Sequence, residues 1–442
     1  MNQENQRIQY YKEKFQAKWK HIDIETTDES EKLYLYAMVP VLIEYVTWVM
    51  LDAIAVGKKR LYFLARDGYQ MYLVAKRMAE VWNVDIECRY LSVSRFAMRL
   101  PEYHLLGETC IERICVGGID VTFEKICKRA GCSKEEAMEI AKECGWADEF
   151  KRVLNYQEVM KLKETLGKCN SFFEKVYEYS KKAYPNAIGY LEQEGLFEDV
   201  PFAFVDSGWV GTLQQTIQNL LQSRKPEAKV EGYYFGMYEY PKGVERKNYH
   251  PFYFSPTKEL KRKVYFSNCL FEAIFSAPEG MTLRYEWKCN QYKPVLDSNE
   301  NPNINQLKKD IVILNTFLEN YNEVQPKEIQ ISYVEDIVRK FMGNPTKAEL
   351  KGYGGTLFSD DVLEEQLQKV SAELSQEEIK KQRFLSKVFI MTGIKKDVIH
   401  ESAWIEGSIV NNGIHIKANL KHAHLYKYFI YIRKWLQQGG KN

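Results

Sequence analysis

Residues 61–68 (LYFLARDG) and 202–212 (FAFVDSGWVGT) share one pattern, a short apolar run that stops at an Asp and a Gly. A helical pattern follows each run. Short apolar runs bounded by glycine are typical of strands buried in a parallel sheet. We therefore expect each Asp and Gly to lie in the turn at the carboxyl end of a strand, where the next helix begins.

The segments around these runs extend the same arrangement. Residues 61–65 predict a strand, 69–82 an amphipathic helix and 84–93 a second strand, which together make a βαβ unit. A strand at 202–206 and a helix at 213–221 repeat the order, and 230–238 follows as an aromatic strand. The sequence thus predicts an α/β fold with a Rossmann-like parallel sheet. Ligands of such open sheets bind at the carboxyl edge of the strands.

The length of 442 residues indicates two or three domains. We divide the chain into an N-terminal helical arm (1–32), an α/β domain (33–290) and a C-terminal helical domain (306–442). A helical insertion is expected at about 102–185 within the α/β domain. Residues 291–305, rich in Asn and Pro, are the predicted linker.

The composition limits which partners and which cellular compartment we expect for the protein. Lys plus Arg number 62 against 60 for Asp plus Glu, so no excess positive charge indicates nucleic acid. The nine cysteines are odd in number and form no CxxC pair, which favours reduced thiols in the cytoplasm over a zinc site. The basic, aromatic residues 425–435 predict a surface helix, with docking to a membrane or a partner as the alternative.

One segment, Leu33–Val56, is apolar enough to resemble a membrane span. Pro40, Glu44 and Asp52 interrupt it, and carboxylates are costly at mid-membrane depth. We expect a core helix that ends at Gly57, with the two acidic residues on one hydrated edge.

The second bend carries groups suited to a phosphate. Ser207 and Thr212 supply hydroxyls, and Gly208 and Gly211 let the backbone amides approach an anion ahead of a helix N-terminus. Asp206 is placed to accept hydrogen bonds from ribose hydroxyls or to hold Mg²⁺. The alternative is a tight turn in which Asp206 only caps the helix.

The first bend has complementary chemistry. Arg66 offers a guanidinium for an anion, Asp67 a carboxylate for a metal, and Gly68 an unobstructed amide. Arg95, at the end of the next strand, is a candidate second anion clamp. The alternative for Arg66 and Asp67 is a local ion pair in a surface turn. The two bends together indicate a site for a phosphorylated substrate with a divalent metal.

Several segments resemble a family found in capsule and O-antigen gene clusters, whose members are often labelled hydrolases of the haloacid dehalogenase type. They are YFLARDGY (62–69), YLSVSR (90–95), VDSGWVGTLQ (205–214), FEAIFSAPEG (271–280) and NPTKAELKGYGGTLFSDD (344–361). The hydrolase label does not fit the residues. Those enzymes need Asp-x-Asp-x-Thr/Val, and Gly208 stands where the second carboxylate after Asp206 belongs.

The pair of bends is more similar to type I phosphoribosyltransferases. That resemblance implies a pyrophosphate loop at 66–68 and a loop for 5-phosphoribosyl diphosphate (PRPP) that includes Asp206, Gly211 and Thr212. The acidic pair of that loop is here a single Asp followed by a Ser, the loop is shorter, and Trp209 is unexpected.

The resemblance implies Mg²⁺-dependent transfer of 5-phosphoribosyl from PRPP to a glycan or lipid-linked sugar acceptor, in the cytoplasm or at the inner face of the membrane. A separate phosphatase partner would complete the ribofuranose unit. Asp67 and Asp206 are the implied catalytic and metal-binding residues. The implied substrate-binding residues are Arg66, Gly68, Arg95, Ser207, Gly208, Trp209, Gly211 and Thr212. Three alternatives stay open: a phosphohydrolase, a nucleotide-sugar glycosyltransferase, and a non-catalytic scaffold of polysaccharide assembly.

Overall fold

The strands form one parallel sheet and two small antiparallel pairs. A computed structural model describes residues 3–117, 121–298, 301–324, 328–358 and 367–439. The strands are β1 (Arg60–Leu64), β2 (Glu87–Leu91), β3 (Phe202–Trp209), β4 (Gly232–Met237), β5 (Tyr249–Phe254), β6 (Thr282–Lys288), β7 (Gln291–Leu296), β8 (Leu357–Phe358) and β9 (Gln368–Lys369). Residues 359–361, at the end of the segment 344–361, lie outside the described residues.

Helices make up most of the remaining structure. Up to β3 they are α1 (Gln3–Lys18), α2 (Glu29–Leu33), α3 (Val39–Ala55), α4 (Gly68–Trp82), α5 (Arg95–Leu106), α6 (Ile111–Ile114), α7 (Phe123–Arg129), α8 (Lys134–Glu143), α9 (Tyr156–Leu166) and α10 (Asn170–Gln193). After β3 they are α11 (Thr212–Gln222), α12 (Leu260–Val264), α13 (Asn268–Phe275), α14 (Ile304–Asn320), α15 (Ile331–Val338), α16 (Lys347–Glu349), α17 (Gln376–Lys381), α18 (Phe384–Met391), α19 (Ile405–Asn412) and α20 (Ile416–Gly439).

The five-stranded sheet has the order β2-β1-β3-β4-β5, and all of its neighbouring strands are parallel. This order reverses direction between β1 and β3, because the chain first builds outward to β2 and then returns to the other side of β1. The loops after β1 and β3 therefore leave the sheet toward opposite faces. A crevice opens between them at the carboxyl edge, where open α/β sheets bind ligands.

Both faces of the sheet are covered, as the apolar character of the strands predicts. Leu61 and Phe63 of β1 join a cluster that includes buried residues of α1, α3, α4 and α13. Tyr62 and Leu64 point to the other face, into a cluster with residues of α5, α10 and α11. The Rossmann-like α/β prediction is confirmed, since alternate residues of one strand serve two separate apolar layers.

Strand β3 is longer than predicted. The sequence placed its end at Asp206, but the strand continues to Trp209 because β4 continues beside it, with Asp206 opposite Tyr234 and Trp209 opposite Met237. The Asp206 carboxylate therefore projects from a strand and not from a turn. The bend itself falls at Trp209–Gly211.

The predicted linker is partly regular structure. Its first residues form β7, which pairs with β6 in an antiparallel hairpin. Cys289 and Asn290 form the two-residue turn with φ of 54° and 59°, the left-handed values that such hairpin turns need. The sequence interpretation missed the hairpin because neither turn residue is the glycine that usually signals it. Residues 299–300 of this segment lie outside the described residues.

The apolar helix runs from Glu29 to Ala55 through a short π-helical segment and lies in the core. By length and composition it is the one span in the described residues that could cross a membrane, yet 78% of its most apolar stretch is buried within the protein. The C-cap residue is Val56, and Gly57 follows it with φ of 73°, the left-handed conformation that glycine often adopts directly after a helix. The prediction that Glu44 lies on a hydrated edge of the helix was wrong. Its side chain is 2% exposed and pairs with Lys18.

The helical segments pack in different ways. Aromatic residues of α1 share the main core with the sheet and with α14 and α15. A separate cluster of buried residues comes entirely from positions 103–176, within the predicted insertion. Helix α20 exposes large apolar side chains near its end: Leu425, Phe429, Ile432, Trp435 and Leu436.

Candidate functional site

A cleft lies at the carboxyl edge of β1 and β3, where the strand order reverses. Its empty space, counted together with the open mouth, is about 870 Å³. The residues that line it are Ala65, Arg66, Asp67, Val93, Ser94, Arg95, Asp206, Ser207, Gly208, Trp209, Val210, Gly211, Thr212, Leu213, Gln214, Tyr234, Glu272 and Met281. The two acidic bends thus share one cavity.

The two bends are joined directly by a hydrogen bond. Ser207 Oγ donates to Asp67 Oδ2 over 2.5 Å, between residues 140 positions apart in the sequence. Asp67 stands at the N-cap position of α4, yet its side chain makes no capping hydrogen bond. Gly211, not Asp206, is the N-cap residue of α11. Helix capping therefore explains neither carboxylate.

Three carboxyl groups lie in the cleft, and the pKa of each is raised. Burial and the nearby Asp67 raise the pKa of Asp206 from 3.8 to about 8. Burial, with a smaller contribution from Asp67, raises the pKa of Glu272 to about 7. Burial also raises the pKa of Asp67, against the opposing effects of Arg66, the Ser207 hydrogen bond and Arg95. Mutual repulsion of this kind is relieved when a cation binds.

Trp209 holds Glu272 in place. Its indole N–H donates a hydrogen bond to Glu272 Oε1. Its ring packs among the rings of Tyr238, Phe254, Phe266 and Phe271. The implied substrate-binding role of Trp209 stays a prediction. Its contacts show a half-buried ring that positions a carboxyl group.

Each bend contains a non-glycine residue with left-handed backbone. Arg66 has φ of 71° and Trp209 has φ of 72°. Such residues are uncommon and are held in place by their surroundings. The Arg66 backbone N–H donates to Tyr90 Oη over 2.9 Å, and Tyr90 Oη in turn donates to Glu279. Glu279 supports the first bend from outside the cleft lining.

The second bend ends at the N-terminus of α11. Gly211 has φ of 71°, and a Cβ there would lie 2.7 Å from Tyr249 Cε1, so only glycine fits without strain. The N-cap residue offers no side-chain acceptor to the first turn of the helix. The free N–H groups of that turn and the helix dipole favour an anion.

The structure brings nearly all of the predicted site residues together. Gly68 is the exception, because it is buried against β1, where a Cβ would lie 3.0 Å from the carbonyl carbon of Phe63. Two charged residues at or beside the cleft lie outside the predicted set. Glu272 comes from α13 and Arg99 from the second turn of α5, where Nη2 donates to Thr212 Oγ1 over 3.2 Å. The i, i+4 spacing of Arg95 and Arg99, which places both on one face of a helix, is the one signal that could have indicated Arg99.

The described residues contain no group of three or more His, Cys, Asp or Glu side chains arranged to hold a metal ion. The donor chemistry nevertheless fits Mg²⁺, which commonly binds through one or two carboxylates together with substrate phosphate oxygens. Asp67 and Asp206 are the two carboxylates that would hold it, since both line the cleft and neither has an ion-pair partner among the described side chains.

Comparison with known proteins does not add an identity. The chain matches no family among those compared and no curated protein sequence.

Proposed function

We propose that this protein is a Mg²⁺-dependent transferase that moves the 5-phosphoribosyl group of PRPP to a sugar acceptor in cell-surface polysaccharide synthesis. The acceptor is a glycan or a lipid-linked sugar, and a separate phosphatase acts on the product. On this proposal the parallel sheet is of the phosphoribosyltransferase type.

One observation carries the proposal. Asp67 and Asp206, from bends that are distant in sequence, line one cleft at the reversal point of the sheet, and Ser207 bridges the two bends. A donor with phosphate groups at both ends needs acidic residues that hold a cation with the diphosphate, and a separate anion site for the monoester. The cleft offers both, because Thr212 and Leu213, the first residues of α11, also line it.

On this proposal, different residues bind different parts of the donor. Arg66 and Asp67 face the diphosphate, Asp206 the ribose hydroxyls, and the segment from Ser207 to Thr212 the 5-phosphate. Bound Mg²⁺ would neutralise the leaving diphosphate. The acceptor hydroxyl oxygen bonds to C1 of the ribose as the C1–O bond to diphosphate breaks; diphosphate leaves with the electron pair, and the hydroxyl proton passes to water. Positioning and charge neutralisation supply most of the catalysis.

A second candidate function is phosphate ester hydrolysis. It is favoured by Asp206 and Glu272, whose pKa values of about 8 and about 7 leave protonated carboxyl groups near neutral pH. A protonated carboxyl group of this kind is the general acid that a phosphohydrolase needs. Against it, Tyr69 stands two residues after Asp67 and Gly208 two residues after Asp206, so neither bend has a paired carboxylate.

Ligand-induced stabilisation tests the proposal. Thermal unfolding is measured with PRPP and Mg²⁺, with UDP-sugars and with sugar phosphates. A ligand present at 100 times its Kd stabilises the folded state by about 2.7 kcal/mol. PRPP with Mg²⁺ should stabilise the protein and Asp206→Asn should not respond. Asp310→Asn, which changes a buried carboxyl group outside the cleft lining, should respond like the wild type.

The other outcomes separate the alternatives. Stabilisation by a UDP-sugar and not by PRPP would replace the proposal with a nucleotide-sugar transferase. Release of inorganic phosphate from sugar phosphates would identify a phosphohydrolase, and the absence of any response would favour the scaffold.

A further inference from the structure

A second cavity lies against the C-terminal helix and shares no lining residue with the cleft. Helix α20 contributes Lys417, Lys421 and Tyr428 to it, and Tyr265 and Asn344 line its other side. Its empty space, counted together with the open mouth, is about 670 Å³. None of the described residues that line it is acidic. The pocket therefore combines two positive charges with aromatic and amide side chains.

Close packing fixes the floor of this pocket. The ring centroids of Tyr265 and His424 lie 4.4 Å apart, and His424 Nε2 donates to the backbone carbonyl of Gly343 over 3.0 Å. A Cβ on Gly343 would lie 2.6 Å from Tyr265 Cδ1, so the glycine lets the ring approach the backbone. Because these contacts are made within the protein, a ligand would meet a site that is already formed.

The lysines of α20 differ in what they contact. On the side that packs against the protein, Lys427 pairs with Glu406 over 2.7 Å. Lys417 and Lys421 are exposed at the pocket, and within the described part of the chain neither forms an ion pair. Two positive charges without a protein counterion thus lie one helical turn apart, where a single anion can reach both.

The face of α20 that carries these lysines changes from basic to apolar along its length. Side chains spaced by three or four residues share one face of a helix. This face contains, in order, Lys417, Lys421, Leu425, Tyr428, Ile432 and Leu436. Leu425, Ile432 and Leu436 are exposed, and the apolar part from the first to the last of them extends about 17 Å along the axis.

This order of charge and apolar surface is complementary to a membrane that contains anionic lipid. Lysines attract the lipid phosphate groups, and exposed apolar side chains enter the acyl boundary beneath them. The Trp435 indole N–H already donates to the carbonyl of Thr257 over 3.0 Å, so it brings no unpaired donor into the apolar layer. A helix lying flat would put both parts at one depth. Their separation along the axis indicates an oblique helix with its C-terminal end deepest.

We propose that the pocket at Lys417 and Lys421 binds the phosphate group of an anionic membrane lipid, and that this contact docks α20 obliquely on the membrane. Burial raises the pKa of Tyr428, so its hydroxyl stays protonated and can donate a hydrogen bond to the phosphate. The site does not depend on the identity of the sugar donor and goes beyond the proposed function.

Co-sedimentation of the full chain with vesicles tests this proposal. Wild-type protein should bind vesicles of equal parts phosphatidylcholine and phosphatidylglycerol more tightly than vesicles of phosphatidylcholine alone. Lys417→Met combined with Lys421→Met should weaken binding to the anionic vesicles about twentyfold, since each lysine near such a surface contributes about fivefold. The remaining binding should depend less on salt. Lys181→Met combined with Lys182→Met, which removes the same charge from exposed positions on α10, is the matched control and should bind like the wild type.

A second variant tests the apolar part of the face. Ile432→Gln should weaken binding to the anionic vesicles and leave its salt dependence unchanged, because it removes apolar area and no charge. Val312→Gln, at an exposed residue of α14, is its control and should bind like the wild type.

The other outcomes are equally decisive. Equal binding of the wild type to both kinds of vesicle, or equal losses in the two double-lysine variants, would overturn the proposal. Calorimetric binding of inorganic phosphate that requires Lys417 and Lys421, in a protein that binds no vesicles, would replace the lipid with a soluble phosphate compound. Vesicle binding by a protein that does not respond to PRPP would support the lipid site and count against the proposed donor. A response to PRPP without vesicle binding would overturn the lipid site alone.

Discussion

Ser207 Oγ donates a hydrogen bond to Asp67 Oδ2, and this contact joins the end of β1 to the end of β3. The two strands are neighbours in the sheet although 140 residues separate the two side chains. Because the strand order reverses here, the contact lies at the floor of the crevice where ligands of open α/β sheets bind. The proposed function depends on this contact.

Stability should depend on pH through Asp206. Its pKa is raised from 3.8 to about 8 in the folded protein, so the folded state favours the protonated form. The resulting stabilisation is complete below about pH 4 and is lost as the pH rises toward 8. Urea unfolding at several pH values should show this decline, and Asp206→Asn should flatten it. An unchanged pH profile in the variant would contradict the raised pKa.

Removing the indole N–H of Trp209 should raise the pKa of Glu272 and lower the stability of the protein. In Trp209→Phe the carboxylate loses a hydrogen bond that lowers its pKa, so the pKa should rise above about 7. We expect a loss of about 1–3 kcal/mol in the free energy of unfolding above pH 8 and a smaller loss at pH 5. Trp82→Phe, which removes a bond to the carbonyl of Glu323, is the control and should show no such pH dependence.

Gly211→Ala should be more costly than Gly57→Ala, although both glycines have nearly the same φ, 71° and 73°. A Cβ at Gly57 meets nothing within 4 Å, whereas one at Gly211 lies 2.7 Å from the Tyr249 ring. Chemical denaturation should give a loss of about 1 kcal/mol for Gly57→Ala and about 3 kcal/mol for Gly211→Ala. Equal losses would contradict this prediction, because they would mean that the Tyr249 ring moves aside without lowering the free energy of unfolding.

The end of α20 should contact an anionic membrane if the acceptor is lipid-linked. Phe429, Ile432 and Trp435 are 42%, 44% and 47% exposed, and the helix carries five Lys or Arg and no acidic residue. Trp435→Ser should reduce co-sedimentation with vesicles rich in anionic lipid by about tenfold. Trp287→Ser, at a residue 56% exposed on the β6–β7 hairpin, is the control. Wild-type protein that does not sediment with such vesicles would contradict membrane contact.

Much of the sheet could be predicted because its signals are local. The apolar runs at β1 and β3 and the amphipathic pattern of α4 need no knowledge of their neighbours, and their predicted bounds lie close to those observed apart from the end of β3. The end of β3 could not be predicted, because pairing with β4 extends the strand beyond Asp206. Strand β5 was missed because its six residues show little alternation and contain a proline.

The candidate site could be predicted only where it lies on the strand ends. Asp67 and Asp206 follow directly from the apolar runs that precede them. Glu272 comes from α13 and Arg99 from the second turn of α5, and their positions depend on how these helices pack against the sheet. No local pattern records how α13 packs, which is why the spacing of Glu272 gave no reason to place it in the cleft.

The most direct measurement is a crystal structure of the protein with PRPP and Mg²⁺. If the proposed function is right, density for one donor appears in the cleft, with its diphosphate and the cation at Asp67 and its 5-phosphate at the segment from Ser207 to Thr212. Density for the donor elsewhere on the molecule, or a cleft that stays empty at saturating PRPP, would contradict it.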